Sequence, residues 1–318
     1  MNNNFETLNQ GEVKNFVPDK VSVIIVNWNV KPLLERCLDS IFDYFQKIDY
    51  EVIVVDNCSL DNSVKYLKWL EQEKQQPKLK IILNKKNMGF AVANNQALEQ
   101  ATGEFILFLN PDTEFIKPGL EKLIKDLKEH NDWGIVGCRL IGTNGISQSS
   151  VRRFPNLFTQ SLILLKLHYL FFWLPAIRKY FQKGFNFEKS QEVDQVAGTF
   201  ILTRRALLDK IGSFDNDYHL WFEDVDLCYR FKKSGYKVIY HSDFEIMHYG
   251  GQSFDQLLSL KKQKIYNRSL IKYFEKNKPG KKNDILKIIS LLSLILAGLS
   301  ALVSLRKKKQ IKKSLKIG

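Results

Sequence analysis

Short apolar runs alternate with amphipathic stretches along the first half of the chain, and the alternation has a regular order. Val21-Ser22-Val23-Ile24-Ile25-Val26 is nearly all β-branched and predicts a buried strand that stops at the polar cluster Asn27-Trp28-Asn29. Leu33, Leu34, Cys37, Leu38, Ile41, Phe42 and Phe45 then recur at helical spacing, with Pro32 suited to the first turn. Glu51 to Val55 predicts a second strand, ending in Asp56-Asn57-Cys58-Ser59, and a helix from about Ser63 to Lys74 follows. A third strand, Leu79 to Leu83, precedes the turn Asn87-Met88-Gly89-Phe90 and a helix to about Gln100. The run Phe105-Ile106-Leu107-Phe108-Leu109 is a fourth strand and breaks at Asn110-Pro111-Asp112-Thr113-Glu114. Strands alternating with helices predict an α/β fold with a parallel sheet and right-handed crossovers.

The later pattern is less regular. Gly119 to His130 reads as a helix and Gly134 to Leu140 as a strand, while Ser161 to Ile177 is apolar and aromatic but interrupted by Lys166, His168 and Pro175. That segment is short for a membrane span and predicts one buried or interfacial helix. Asp194 to Phe200 enters a short strand, and Leu220-Trp221-Phe222-Glu223-Asp224-Val225-Asp226 crowds acids behind aromatics at a helix start. Capping and an Asp226–Arg230 pair account for acids there; aromatics directly before them point instead to a pocket floor. Gly235 to Tyr240 predicts another strand, and Ile246-Met247-His248-Tyr249-Gly250-Gly251 sets a histidine before two glycines that let backbone approach a ligand.

In open α/β sheets ligands bind beyond the carboxyl ends of strands. Three such ends carry Asn27, Asp56 and the Asn110-to-Glu114 turn. A turn of that composition needs no chemistry when it stands alone, yet an Asp there can hold a hard divalent cation against a diphosphate. There is no G-x-G-x-x-G after the first strand and no G-x-x-x-x-G-K-[ST], which argues against dinucleotide oxidoreductases and P-loop enzymes.

Charge narrows the partner. The 318 residues carry a formal net charge of +14, but seven of the cations lie between Arg306 and Lys316, so the excess is a basic tail and not a nucleic-acid groove. Cys37, Cys58, Cys138 and Cys228 form no C-x-x-C pair and predict buried thiols in a reducing compartment. Met1 to Lys20 is a polar lead, expected to be disordered and without a secretory apolar core, which places the catalytic part in the cytoplasm.

Taken in order, Val21 to Asn29, Val54 to Ser63, Asn87 to Asn95, Leu109 to Glu114, Gly198 to Leu202, Gly212 to Arg230 and His248 to Ser253 resemble the family 2 glycosyltransferases, in particular their bacterial rhamnosyltransferase-like branch. The resemblance implies a GT-A fold: a Rossmann-like, mostly parallel sheet flanked by helices, with a nucleotide-sugar half over 21–140 and an acceptor half over 141–275. It implies hexosyl transfer, with inversion, from a dTDP- or UDP-sugar to a glycan or lipid-linked acceptor during cell-surface polysaccharide synthesis, rhamnose being the sugar it favours. By similarity Trp28 lies against the base and Asp56 accepts from its imide N–H. Asn27, Asn87, Gly89, Asn95 and Asn110 line the donor pocket, Asn110 standing where the family's first D-x-D aspartate would be. Asp112 and His248 hold Mg²⁺ or Mn²⁺. Asp224, with Glu223, supplies the base. Two other classes share parts of this pattern. A sugar nucleotidyltransferase also uses an Asp after a strand but opens with a Gly-rich phosphate loop, absent here, and a non-catalytic binding module has no need of Asp112, Glu223, Asp224 and His248 together.

Ile288 to Leu305 is 18 residues without a charge, about 27 Å as a helix. It predicts a membrane-anchoring helix over 285–305, followed by the basic tail 306–318. Ser290, Ser293, Ala297, Ser300, Ala301 and Ser304 make a stripe of small residues, either a packing face within the bilayer or the polar side of an interfacial helix. Lys281, Lys282 and Lys287 before it and the basic tail after it favour an in-plane or re-entrant anchor over a single span, at the cytoplasmic leaflet.

Overall fold

The computed structural model describes residues 16–72, 78–250 and 259–314, with side chains of the last helix described as far as Leu299. Residues 1–15 of the polar lead, Gly251 with Ser253, and the side chains of the basic tail lie outside the described residues; the end of the lead, Val17 to Lys20, is not disordered but opens the first strand, where Val17 pairs with Gly103.

The β-branched runs form strands where the pattern placed them: β1 (Val17–Asn27), β2 (Tyr50–Asp56), β3 (Leu79–Leu83), β4 (Gly103–Leu109) and β6 (Trp133–Ile141), with β5 (Thr113–Phe115) between the last two. A short ribbon pairs β7 (Val151–Arg152) with β9 (Gln195–Val196). β8 (Gln191–Val193), β10 (Phe200–Arg204) and β11 (Lys237–His248) complete the set. Among the described residues the main sheet runs β3-β2-β1-β4-β10-β6-β11-β5, with β8 beside β11. β3, β2, β1 and β4 are mutually parallel, β10 enters antiparallel between β4 and β6, and β6 and β11 are parallel again. The sheet is therefore mixed but mostly parallel, and it runs unbroken through both halves of the chain.

Register positions the site. Asn27 pairs with Asp56, Ile25 with Leu109, and Leu109 with Phe200, so the ends of β1, β2 and β4 and the start of β10 meet at one edge. Asn110 N–H donates to Thr199 O across that edge at 3.0 Å. The pairing of His248 with Thr113 brings the end of β11 there as well. Alternate residues of β1 serve opposite faces: Val23 and Ile25 pack with α1 (Lys31–Tyr44), α2 (Ser63–Gln72) and α4 (Leu120–Glu129). Ile24 and Val26 pack with α3 (Phe90–Gln100), α7 (Arg205–Ile211) and α8 (Glu223–Lys233). A strand buried on both faces loses the apolar–polar alternation, which is why it reads as a continuous apolar run.

Two segments depart from the pattern. The apolar stretch 161–177 is not one helix: α5 (Leu157–Leu164) stops, turns follow, and α6 (Pro175–Tyr180) starts at its proline. Lys166 adopts φ 61, left-handed backbone that ends a helix, and Pro175 cannot accept a helix running into it. β11 is a single strand of 12 residues, longer than its apolar run, because a register shift between His241 and Glu245 carries it over Ser242 and Asp243.

α9 (Ser259–Asn277) and α10 (Asp284–Ser314) pack with α5 around Leu164, Leu270, Tyr273, Phe274 and Leu286. The described part of the small-residue stripe of α10 faces this protein core: Ser290, Ser293 and Ala297 are buried. The buried Asn267 of α9 donates to Ser290 O at 2.9 Å and Ser293 Oγ at 2.8 Å. Small side chains let the two helices approach closely enough for these bonds. Asn267→Ala removes both donors from a buried contact, and we expect a loss of about 1–3 kcal/mol, read as faster amide exchange through α10 with little change in the central sheet.

Candidate functional site

The aligned strand ends open into a cavity of about 290 Å³, lined among others by Trp28, Asn57, Asn87, Gly89, Asn110 and Asp112. Asn57 binds its rear wall together. Its Nδ2 donates to Asn87 Oδ1 (3.1 Å) and Gly89 O (3.2 Å), while its Oδ1 accepts from Met88 N–H (2.9 Å) and Asn84 Nδ2 (3.1 Å). Sequence reasoning passed over Asn57; its place beside Asp56 at a strand end was the available signal. Asp56 lies beneath the wall, 1% exposed. Its Oδ2 accepts from Asn27 Nδ2 at 2.8 Å and its Oδ1 from Ser59 N–H at 2.9 Å, so both oxygens brace the ends of β1 and β2. Asn27 is likewise buried, whereas Trp28 faces the cavity. Asn95 is turned elsewhere: its Nδ2 donates to Phe214 O (2.6 Å) and Asn216 Oδ1 (2.7 Å), tying α3 to the 214–216 loop.

Gly89 admits a second wall. Its φ is +87°, and a Cβ there would lie 2.6 Å from His219 O. Phe90 N–H donates to that same oxygen at 2.8 Å. The segment 219–222 thus sits against the start of α3, where only a glycine leaves room.

At the floor, Asp112 and His248 meet. Gln148 Nε2 donates to His248 O at 3.0 Å, which orients the amide so that its Oε1 faces His248 Nδ1 at 2.6 Å. Nδ1 must then carry the proton, and in the neutral ring Nε2 presents a lone pair, 3.5 Å from Asp112 Oδ2. Asp112 is 6% exposed and its Oδ1 has no hydrogen-bond partner among the described residues. Two electron-pair donors turned toward one another, one with an orphaned oxygen, suit a cation between them. Among the described residues no group of three or more His, Cys, Asp and Glu side chains is placed to hold a metal ion; Asp112 and His248 would be the protein's ligands, with diphosphate and water to complete the set. Gln148 stands in an irregular polar stretch and had no signal in the sequence.

Beyond 219–222 lies a second cavity, also about 290 Å³, whose lining includes Asp224, Trp221, Ser150, Arg152, Tyr180 and Tyr266. Trp221 (φ 64) and Phe222 (φ 69) are consecutive left-handed residues immediately before α8, a strained entry that sets Glu223 and Asp224 in the first turn. Asp224 Oδ2 accepts from Gly198 N–H and Oδ1 from Val225 N–H, each at 2.8 Å. Burial raises the Asp224 carboxyl above the ordinary aspartate range, against the opposing pull of these bonds and of the Arg152 charge. Burial, reinforced by the Asp224 charge, pushes Glu223 well above the usual range, and its Oε2 has no partner among the described residues. Asp226 is the structural acid of the three, accepting from Arg230 Nε at 2.7 Å, while Arg230 also donates to the carbonyls of Ile211, Gly212 and Ser213.

With this geometry in place, the comparison with known families is decisive: the model described as Glycosyl transferase family 2 matches residues 22–212. The chain belongs to this family. Among its relatives is the N-acetylglucosaminyl-diphospho-decaprenol L-rhamnosyltransferase of Mycobacterium tuberculosis (strain CDC 1551 / Oshkosh), 25% identical over 250 residues that cover 74% of this chain and 78% of the relative. A mannosyltransferase of Pyrobaculum calidifontis, solved with GDP-Man and Mn²⁺, shares the fold at TM-score 0.55 and 19% identity, over 92% of this chain and 79% of that one. Residues 1–349 of TarS from S. aureus, solved with UDP, match at TM-score 0.52 and 20% identity, over 87% and 80% of the two chains. The family 2 chain is thus a glycosyltransferase with a GT-A fold.

Two predictions test the walls of this glycosyltransferase site. Gly89→Ala forces a β-carbon into His219 at positive φ; a stability loss of about 1–3 kcal/mol in denaturant titration is expected, with a displaced 219–222 segment in the crystal structure of the variant. Glu223 holds its proton in the folded chain above the pH where the unfolded chain, at 4.5, releases it. Its contribution to stability is therefore full below that pH and declines as pH rises. Glu223→Gln keeps the shape without the charge, so its melting temperature relative to wild type should climb between pH 4 and pH 7; a constant difference would contradict the buried neutral acid.

Proposed function

We propose that this glycosyltransferase moves a hexose, rhamnose being the one favoured by resemblance, from a dTDP- or UDP-sugar to a hydroxyl of a glycan or lipid-linked acceptor in cell-surface polysaccharide synthesis, with inversion at the anomeric carbon. The observation that carries this reading is the placement of Asp112, with His248 Nε2 3.5 Å from its carboxylate, and of Asp224 in two cavities that share the 219–222 wall. Trp28 offers a face for the donor's base, and Asn110 and Asp112 face its diphosphate. Asp224, fixed by Gly198 and Val225, accepts the acceptor's proton as its oxygen forms the new bond to the anomeric carbon and the bond to the diphosphate breaks. An acid raised by burial is the better base near neutral pH, and such a group contributes about 10²–10⁴-fold. Burial pushes Glu223 toward its neutral form, which favours Asp224 as the charged member of the pair. Attack from the cavity opposite the leaving group inverts the configuration. A Mg²⁺ or Mn²⁺ ion held by Asp112 and His248 would neutralise charge on the departing diphosphate. The Mn²⁺ in the Pyrobaculum complex supports this choice of ion.

The division of labour has distinct signatures. Asp224→Asn should bind donor like wild type and lose about 10²–10⁴-fold in turnover. Asp112→Ala should lose the part of donor affinity that depends on Mn²⁺ in calorimetry. Wild-type turnover in the first variant, or an unchanged metal dependence in the second, contradicts the assignment.

The enzyme's place is the cytoplasmic leaflet, on this reading. Among the described residues no helix is long and apolar enough to cross a membrane. α10 turns Ser290 and Ser293 inward and leaves Ile285, Ile288, Leu291, Leu292, Ile295 and Leu299 exposed along one side, with Lys281, Lys282 and Lys287 near its start. An apolar stripe beside lysines suits a helix lying in an anionic bilayer surface. Sedimentation with phosphatidylglycerol vesicles should capture the wild type, and Leu291→Glu with Ile295→Glu should release it; equal binding of both contradicts the in-plane contact.

A further inference from the structure

The second cavity holds an anion-binding group that the transfer chemistry does not use. Arg152 is half-buried at the edge strand β7, and its guanidinium lies over the Phe181 ring at 5.6 Å. Among the described residues no carboxylate stands within ion-pair distance of it, although its charge reaches Asp224. Neighbouring Arg153, by contrast, is paired with Asp194 at 3.2 Å. Beside Arg152, Ser150 is 5% exposed, lines the same cavity, and its Oγ has no hydrogen-bond partner among the described residues. A planar guanidinium and a buried orphan hydroxyl facing one space form a donor set for a phosphate.

The surroundings specify what carries that phosphate. On one side is Asp224, which takes a proton from the acceptor, so the anion sits on the acceptor near the reacting hydroxyl. On the other side Ile163 and Phe181 line the cavity; they belong to α5 and to the residue after α6. The turns between those helices expose Tyr169, Leu170, Phe172 and Trp173, each more than half exposed. Large exposed apolar groups on the turns that join two cavity-lining elements favour an apolar tail over solvent.

We propose that Arg152 and Ser150 form an acceptor subsite for a phosphate or diphosphate ester whose apolar tail leaves over the α5–α6 turns. The inference rests on the glycosyltransferase reading above and adds the acceptor's anionic group and the residues that bind it. It is tested by calorimetry in EDTA, so that no metal–diphosphate complex forms at Asp112 and His248, with farnesyl diphosphate, inorganic diphosphate and farnesol as probes. Farnesyl diphosphate should bind wild type, about tenfold or more weakly to Arg152→Gln, and severalfold more weakly to Ser150→Ala, with Arg152→Lys intermediate. Farnesol should bind all four alike, which also reports that the variants are folded. Wild-type affinity for farnesyl diphosphate in Arg152→Gln overturns the subsite. Inorganic diphosphate binding as tightly as farnesyl diphosphate overturns the lipid-linked source and leaves a site for the free anion. If wild type releases nucleotide from no donor sugar, it is the glycosyltransferase reading that fails, whatever the farnesyl diphosphate result.

Discussion

The candidate site depends on one constraint: the buried Asp112 Oδ2 and the half-buried His248 Nε2 are held 3.5 Å apart, with Gln148 Oε1 facing the other ring nitrogen. With the ring neutral, that arrangement sets two lone pairs against each other, and a cation between them would relieve it. The fold enforces the approach from several directions. Asn110 is fixed to Thr199 at the start of β10, Tyr249 N–H donates to Asp112 O at 2.9 Å, and β5 pairs with the end of β11 beside both residues. The two backbone bonds extend the ladders just past the strand ends, which holds the geometry before any donor arrives. Preorganisation of that kind is where binding energy for a diphosphate is best invested.

A second constraint is the strained entry to α8. Two consecutive left-handed residues, Trp221 and Phe222, are tolerable because both are built into aromatic packing with Tyr266, and Phe222 also with Tyr273. The strain turns the chain sharply enough for one short segment to serve as wall to two cavities. His219 and Leu220 face the first, while Trp221, Phe222 and Asp224 face the second. Gly89 and Gly198 are the complementary concessions, the first admitting His219 and the second bringing its amide to Asp224. Separation of the two cavities thus follows from local backbone geometry.

Much of the sheet was legible because strands buried on both faces are written as β-branched runs, and their polar ends named Asn27, Asp56 and Asp112 directly. Less was legible where a partner comes from a distant segment. Gln148, which fixes the His248 proton, lies a hundred positions before it in irregular chain. Asn95 sits among pocket residues in sequence, yet its side chain ties α3 to the 214–216 loop. The 161–177 stretch reads as one helix by composition, but a left-handed Lys166 and Pro175 break it. The serine stripe of α10 suggested bilayer packing or a wet face, and its described part packs on α9, since Asn267 supplies the hydrogen bonds those serines need. β5, three residues long, is too short for any periodicity to show.

The central claim is that the Asp112–His248 pair is a cation site set by the Gln148-fixed tautomer. Its most direct test is Mn²⁺ titration in the presence of UDP, followed by electron paramagnetic resonance, for wild type and Gln148→Leu. With the tautomer no longer fixed, Mn²⁺ affinity should fall about 10–100-fold while the melting temperature stays near that of wild type. Equal Mn²⁺ affinity in the two proteins would contradict the account.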